Sequence, residues 1–228
     1  MKSSLIGLLG ILLLVTQVFG AENGTLKSQK DKTSYALGLN VGKNMKQMPA
    51  EIDPDLFTKG FNDAFSGTKP MLSEEEIRTV LTAFQKDIMA KQAEKMKVVA
   101  DKNKKEGETF LAENKKKQGV KTLASGLQYK VVKEGSGKKP KVTDKVTTHY
   151  RGTLIDGTEF DSSYKRGEPA TLPVNGVIPG WTEALQLMKV GSKWQLFVPA
   201  KLAYGERGTP MIGPNAVLIF TIELLSII

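Results

Sequence analysis

The sequence contains no cysteine and a single histidine, His149. Without cysteine the chain can form no disulfide, no thiolate zinc site and no thiol nucleophile. One histidine argues against most metal sites and against a serine–histidine pair. We therefore expect no metal and no cofactor, and a chemistry without a covalent intermediate. His149 neighbours Tyr150 on a predicted strand, so it points to the opposite face and is predicted to be structural or exposed.

Long apolar runs are also absent after the first twenty residues. The run Leu5–Val15 follows Lys2 and precedes the small residues Gly20 and Ala21, a pattern typical of a signal peptide over residues 1–20. The alternative is an uncleaved membrane anchor, but the run is shorter than the ~20 residues of a membrane span. We predict no transmembrane span after signal removal. The net charge of +9 is spread evenly along the chain, so we expect no nucleic-acid partner.

Residues 21–72 predict a small helical module. Gly38 and Gly42 lie on one face of a first helix, where they permit close approach of another helix. Asp53 and Pro54 form the start of a second helix, which ends by Gly67. Two helices this short enclose little core, so the pattern indicates pairing with a second copy of the chain.

A long connecting helix is predicted over residues 73–117. It begins with a capping box formed by Ser73 and Glu76. If continuous to about Asn114 it spans roughly 60 Å at ~1.5 Å per residue, with Gly107 as a candidate hinge. Its many lysines indicate a solvated face; a lipid or nucleic-acid surface is the alternative.

Residues 118–228 alternate as strands do, with a hairpin at Asp156-Gly157. Among them lies a short helix, predicted to begin at Gly180 or Trp181 and to end in a left-handed cap at Gly191. A tryptophan in the first turn is poorly placed for an ordinary core, which suggests the floor of a pocket. The fold class is therefore α+β.

Four motifs in series resemble the FKBP-type peptidyl-prolyl cis-trans isomerases: HYRGTLIDGTEFDSS, VIPGWTEALQLMKVGSKW, LAYGERG and IGPNAVLIFTIELL. The preceding half is similar to the Mip and FkpA-like branch of that family, through DKTSYALGLNVGKN, FQKDIMAK and FLAENK. The resemblance implies a C-terminal FKBP domain, an antiparallel sheet wrapped around a short helix. A long helix would join it to an all-α N-terminal dimerisation module.

The same resemblance implies the site. Catalytic contacts would come from Asp161, Tyr204 and the backbone amide of Ile178. Substrate would be bound by seven further residues: Tyr150, Phe160, Arg166, Val177, Trp181, Ile212 and Phe220. Proline-containing polypeptides would be the substrates and macrolide immunosuppressants the inhibitors. The protein would be an exported homodimer, in the periplasm or at the outer membrane or surface of a Gram-negative bacterium.

Rotation about an X–Pro bond faces a barrier of roughly 18–20 kcal/mol because amide resonance must be broken. A dry aromatic pocket that favours the twisted amide would suffice. Two alternatives remain: a dimeric chaperone clamp that holds client proteins, with incidental isomerase activity, and a surface adhesin with a degenerate pocket. The sequence departs from the family at Ala170, where many members have phenylalanine, and at Thr209, where some have histidine.

Overall fold

The computed structural model describes residues 26–228 and divides into two compact units, one ending at Thr68 and one running from Lys69 to Ile228. The first unit contains α1 (Gln29–Gln47) and α2 (Pro54–Ser66). Besides two short 3-10 helices (Val174–Gly176 and Ala200–Leu202), the second contains three α-helices and seven strands. These are α3 (Glu74–Asn114), β1 (Val120–Thr122), β2 (Gln128–Lys133), β3 (Lys145–Leu154), β4 (Glu159–Ser162), α4 (Ser163–Arg166), β5 (Ala170–Pro173), α5 (Pro179–Leu185), β6 (Lys193–Val198) and β7 (Leu218–Ile227). The predicted signal peptide lies outside the described residues.

The two helices of the first unit begin and end where their capping residues dictate. The Asp53 carboxylate accepts from the N–H groups of Asp55 and Leu56 at 2.8 and 3.0 Å, and Gly67 closes α2 with φ of 70°. Neither helix has a buried residue. Their apolar side chains are therefore left open to a partner. Within residues 26–228, no helix combines the length and apolar character needed to cross a bilayer.

Helix α3 is continuous over 41 residues. The predicted capping box is present: the Ser73 hydroxyl accepts from the Glu76 N–H at 3.2 Å, and the Glu76 carboxylate accepts from the Ser73 N–H at 2.8 Å. The prediction of a hinge at Gly107 is wrong, because the helix passes through this residue unbroken. Gly107 is instead buried against the sheet domain, where an added Cβ would lie 2.7 Å from Val217 Cγ2.

All strands belong to one antiparallel sheet in the order β1-β2-β6-β7-β3-β4, with β5 paired to the other part of β3. Alternate residues of the neighbouring strands β3 and β7 are buried. On β7 these are Leu218, Phe220, Ile222 and Leu224. Period-two alternation puts them on one face, which forms the core.

Helix α5 packs on that core face through Trp181, Ala184 and Leu185, all buried. It begins one or two residues earlier than the predicted start at Gly180 or Trp181, because Pro179 itself occupies the first helical position, where its missing N–H costs nothing. The predicted cap at Gly191 is also wrong. The helix ends at Leu185, and Gly191, with φ of 88°, forms the turn into β6 instead.

Candidate active site

Four aromatic rings from four different elements meet on the core face of the sheet. Trp181 of α5 is 4% exposed and lies edge-to-face with Tyr150 of β3, at 5.1 Å between centroids, and with Phe220 of β7, at 5.2 Å. Phe160 of β4 continues the series with an edge-to-face contact to Phe220 at 5.6 Å. Such pairs favour this geometry because the positive ring edge meets the negative face. The result is a closely packed apolar cluster with Trp181 in contact with two of the other rings.

Gly152 of β3 makes this cluster possible. An ideal Cβ at this position would lie 2.7 Å from Phe160 Cζ and 2.8 Å from Phe220 Cε1, closer than carbon atoms approach. The residue faces Phe220 across one strand pair and Asp161 across the other. Any side chain here would displace both rings. The sequence reasoning missed this requirement, although a glycine inside a strand is a known sign of close approach.

A hydrogen-bonded triad of polar side chains borders the rings. The Tyr150 hydroxyl donates to Asp161 Oδ2 at 2.6 Å and accepts from Arg166 Nη2 at 2.8 Å. Arg166 Nη1 donates to Asp161 Oδ1, and the guanidinium lies over the Tyr150 ring with Cζ 5.4 Å from the centroid. Each oxygen of the carboxylate therefore has its own donor. The orientation of Asp161 is fixed from two sides.

The triad controls ionisation. Burial raises the pKa of Asp161, but the hydrogen bonds from Tyr150 and Arg166 and the charge of Arg166 outweigh burial and hold that pKa below its ordinary value. Burial and the bond to Asp161 raise the pKa of Tyr150. Asp161 is therefore an anion and Tyr150 a neutral donor across the physiological range.

Val177 and Ile178 form the segment that leads into α5, and both are half-buried against the core. The Ile178 carbonyl accepts from the N–H groups of Trp181 and Thr182 at 2.9 and 3.1 Å. Its own N–H has no acceptor among the described residues, as expected at the start of a helix. An N–H without an internal acceptor can donate to a further group.

Tyr204 and Ile212 stand on the connection between β6 and β7. Ile212 is buried at 5% exposure and belongs to the core cluster, whereas Tyr204 is 42% exposed. Thr209 holds Ile212 in place: its N–H donates to the Ile212 carbonyl at 2.6 Å, and its hydroxyl accepts from the Ile212 N–H at 3.1 Å. Thr209 thus closes the turn.

Two other expectations concern residues at the edge of the site. Ala170 begins β5 and is half-buried against the core cluster. His149 lies on the opposite face of β3, where Nδ1 is 2.9 Å from the Ser163 hydroxyl and the ring stacks on Tyr164 at 4.7 Å. It takes no part in the ring cluster.

Comparison with known proteins decides the family. Residues 136–225 match the family described as "FKBP-type peptidyl-prolyl cis-trans isomerase", and residues 30–131 match "Domain amino terminal to FKBP-type peptidyl-prolyl isomerase". The chain is 50% identical over 218 residues to "Outer membrane protein MIP" of Legionella longbeachae, covering 95% of this chain and 93% of that protein. The chain belongs to the FKBP-type peptidyl-prolyl cis-trans isomerases.

Further relatives of this isomerase agree along most of its length. "Peptidyl-prolyl cis-trans isomerase Mip" of Coxiella burnetii is 47% identical, over 95% of this chain and 94% of that protein. The crystal structure of FkpA from Escherichia coli superimposes with a TM-score of 0.68 at 41% identity, covering 89% of this chain and 98% of that one. The predicted α+β fold and the predicted resemblance to Mip and FkpA are confirmed. The isomerase is an enzyme of this family.

Proposed function

We propose that the ring cluster is where this isomerase binds the prolyl residue of its substrate, with the pyrrolidine ring on Trp181. The observation that carries this proposal is the conjunction of an apolar floor with a fixed carboxylate at its border. The aromatic walls take up the apolar proline, and Val177 and Ile212 extend them. Arg166 and Tyr150 support Asp161 rather than the substrate directly.

The polar groups act on the amide next to the proline. The free N–H of Ile178 donates to a substrate carbonyl, the Tyr204 hydroxyl donates to a second acceptor, and Asp161 faces the carbonyl that rotates. A twisted amide has lost its resonance, so its carbonyl carries less negative charge and tolerates a dry site beside a carboxylate better than the planar amide does. Each tenfold acceleration requires about 1.4 kcal/mol of such preference. No covalent step is needed.

Two variants test these roles by exchange NMR on a short X–Pro peptide. Asp161→Ala and Tyr204→Phe should lower kcat/KM while the thermal midpoint stays near that of the wild type. Tyr164→Phe is the matched control, because this tyrosine bonds to Glu223 on the other face of the sheet, at 2.7 Å. If Asp161→Ala turns over as fast as the wild type, the carboxylate has no role in the reaction and this part of the proposal is wrong. A macrolide immunosuppressant should compete with the peptide for wild-type protein.

We also propose that α1 and α2 form a homodimer interface. An apolar groove of about 1110 Å³ lies between these two helices. Leu37 is 62% exposed, Phe61 57% and Phe65 84%. Gly38 and Gly42 have nothing within 4 Å of an added Cβ, so a second helix can approach the backbone there. Large apolar patches of this kind mark association surfaces, and a second copy of the module supplies matching helices.

The oligomeric state tests the interface. Phe61→Glu should convert a dimer to a monomer in sedimentation experiments, because it introduces a charge into the groove. Asn62→Glu introduces the same charge on the next residue, outside the groove lining, and should leave the dimer intact. A wild-type dimer that binds an unfolded polypeptide without accelerating its isomerisation would favour the dimeric chaperone clamp instead. Activity of Phe61→Glu on a short peptide should be unchanged, since the pocket lies in the other unit.

Export is the setting that suits this enzyme. The first twenty residues have the composition of a signal peptide, and relatives with the names Mip and FkpA occur in Gram-negative bacteria. We place the mature dimer in the periplasm or at the outer membrane. Fractionation of cells that produce the full-length chain, followed by N-terminal sequencing of the product, would test this; an unprocessed cytoplasmic product would contradict it.

A further inference from the structure

The loop between Gly205 and Asn215 carries Ile212, a residue of the proposed substrate site, and has few bonds of its own. Its two ends are joined by the Asn215 N–H, which donates to the Gly205 carbonyl at 2.9 Å. Thr209 and Ile212 close its tip. Asn215 has φ of 57°, in the left-handed region, which asparagine adopts more readily than most other residues that carry a side chain. The loop also has contacts to a neighbouring element.

Helix α3 supplies those contacts from outside the pocket. Asn103 Nδ2 donates to the Pro214 carbonyl at 2.8 Å. At Gly213 an added Cβ would lie 3.0 Å from that same Nδ2 and 3.3 Å from Val99 Cγ1, so the loop backbone runs directly along the helix surface. Asn215 Nδ2 points back to the Ala100 carbonyl at 3.5 Å. The loop therefore rests on one turn of α3.

Contacts further along α3 fix the helix relative to the sheet. Gly107 lies against Val217, and the Phe110 ring packs against Phe197 with centroids 6.0 Å apart. Asn114, only 1% exposed, donates from Nδ2 to Gln128 Oε1 at 3.0 Å. The helix cannot slide or turn without breaking these contacts. The position of Asn103 is thus tied to the sheet that holds the ring cluster.

We infer that Asn103 is a positioning residue of the isomerase, which holds the loop carrying Ile212, and the Tyr204 that precedes it, in the arrangement the reaction needs. Asn103 acts through the Pro214 carbonyl and touches no substrate itself. The inference rests on the proposed roles of Tyr204 and Ile212. If the inference holds, the C-terminal third of α3 helps to position the active site and does not serve only as a connecting segment.

Asparagine suits this position because its amide can donate to a carbonyl while the helix continues. Asn103→Asp keeps the shape but replaces the donor by a carboxylate, which cannot donate to the Pro214 carbonyl and repels it. Asn103→Ala removes the group altogether. Gln92→Glu makes the same change from amide to carboxylate at an exposed position of the same helix, so it serves as the matched control.

The test uses the full chain, with kcat/KM on a short X–Pro peptide measured well below the thermal midpoint of every variant. Asn103→Asp and Asn103→Ala should lower kcat/KM by about two- to tenfold, the factor that one hydrogen bond is worth. Gln92→Glu should match the wild type. Amide hydrogen exchange at Ile212 and Asn215 should accelerate in the Asn103 variants alone.

Leu224→Ala separates positioning from general stability. It shortens a fully buried core side chain of β7, at the end of that strand remote from Val217 and α3, so it should lower the thermal midpoint and leave kcat/KM unchanged. If kcat/KM follows the midpoint across Leu224→Ala and both Asn103 variants, Asn103 is merely structural and the inference is wrong. Folded Asn103 variants with wild-type kcat/KM and exchange would also overturn it. An inactive wild type, in contrast, would refute the proposed function. In that case the hydrogen exchange at Ile212 and Asn215 would alone decide whether Asn103 holds the loop.

Discussion

Replacing Tyr150 by phenylalanine removes one hydroxyl from the site and leaves the ring in place. The edge-to-face contact with Trp181 at 5.1 Å and the stacking of Arg166 over the ring should persist. Asp161 loses its 2.6 Å donor, and Arg166 loses its acceptor at 2.8 Å. The variant therefore isolates the polar contribution from the apolar floor.

The expected magnitude follows from the bonds lost. A hydrogen bond to a charged group is worth about 1.5–3 kcal/mol when shielded. The Asp161 side chain is 41% exposed, so water replaces part of the loss, and we expect about 1–1.5 kcal/mol, or roughly a five- to twelvefold fall in kcat/KM. Since the Tyr150 bond is one of those that lower the pKa of Asp161 against its burial, this pKa should rise in the variant. Activity should then be lost at a higher pH on acidification.

Exchange NMR on an X–Pro peptide between about pH 3 and pH 8 measures the fall in kcat/KM and the pH at which activity is lost. This range brackets the ordinary pKa of a carboxyl group. Tyr164→Phe is the control, because it removes a hydroxyl that bonds to Glu223 and not to Asp161. Unchanged kcat/KM in Tyr150→Phe, with no movement of the acid limb, would refute the argument that the triad orients and ionises Asp161.

Two further predictions concern helix α3, and one concerns folding at low pH. Gly107→Ala should lower the free energy of unfolding by about 1–3 kcal/mol, because the added methyl group clashes with Val217. Gly60→Ala is the control: it has open space around it and should stabilise α2. Thermal melts of both variants measure the difference. A fragment of residues 118–228 should melt at least ~5 °C below a fragment of residues 98–228, since the shorter one uncovers Phe197 and Val217; equal midpoints would show that α3 adds no stability. The depressed pKa of Asp161 contributes stability above the ordinary carboxyl pKa that is lost as pH falls through the lower native value, so acid unfolding of Asp161→Asn should be less steep than that of the wild type.

Local rules explain why much of the helical structure could be predicted. Asp53 and Pro54 start α2, Gly67 ends it, and Ser73 with Glu76 starts α3, because each of these caps depends only on residues within one turn. The ring cluster could be predicted only from the resemblance to the family. Aromatic residues scattered from Tyr150 to Phe220 have no spacing that reveals their meeting in space.

Two of the errors share a physical cause, because tertiary contacts decided the role of Gly107 and of Gly152. At Gly107 a flexible residue suggests a hinge, but the sheet packs against it and needs the absent Cβ. At Gly191 the left-handed conformation was foreseen correctly; the residue forms a strand-entry turn because α5 had already ended at Leu185. Gly152 went unnoticed for the same reason, since only the two rings explain it.

The docking of α3 on the sheet domain was missed because its contact face is small and polar. Asn103, Gly107, Phe110 and Asn114 recur at helical spacing, yet only one of them is a large apolar residue. A search for hydrophobic periodicity therefore finds a solvated helix. Hydrogen bonds to Pro214 and Gln128 replace the usual apolar stripe here, and sequence alone does not show where such polar groups find partners.

The most direct test of the proposed pocket is an NMR titration of the two tryptophan indole N–H signals with a short X–Pro peptide. Trp181 forms the floor of the ring cluster, whereas Trp194 stacks on Tyr129 at 4.3 Å. We predict that the Trp181 signal shifts with added peptide, that the Trp194 signal moves much less, and that a macrolide immunosuppressant reverses the peptide's effect. A peptide that is isomerised while the Trp181 signal stays unchanged would place the reaction elsewhere and contradict the account.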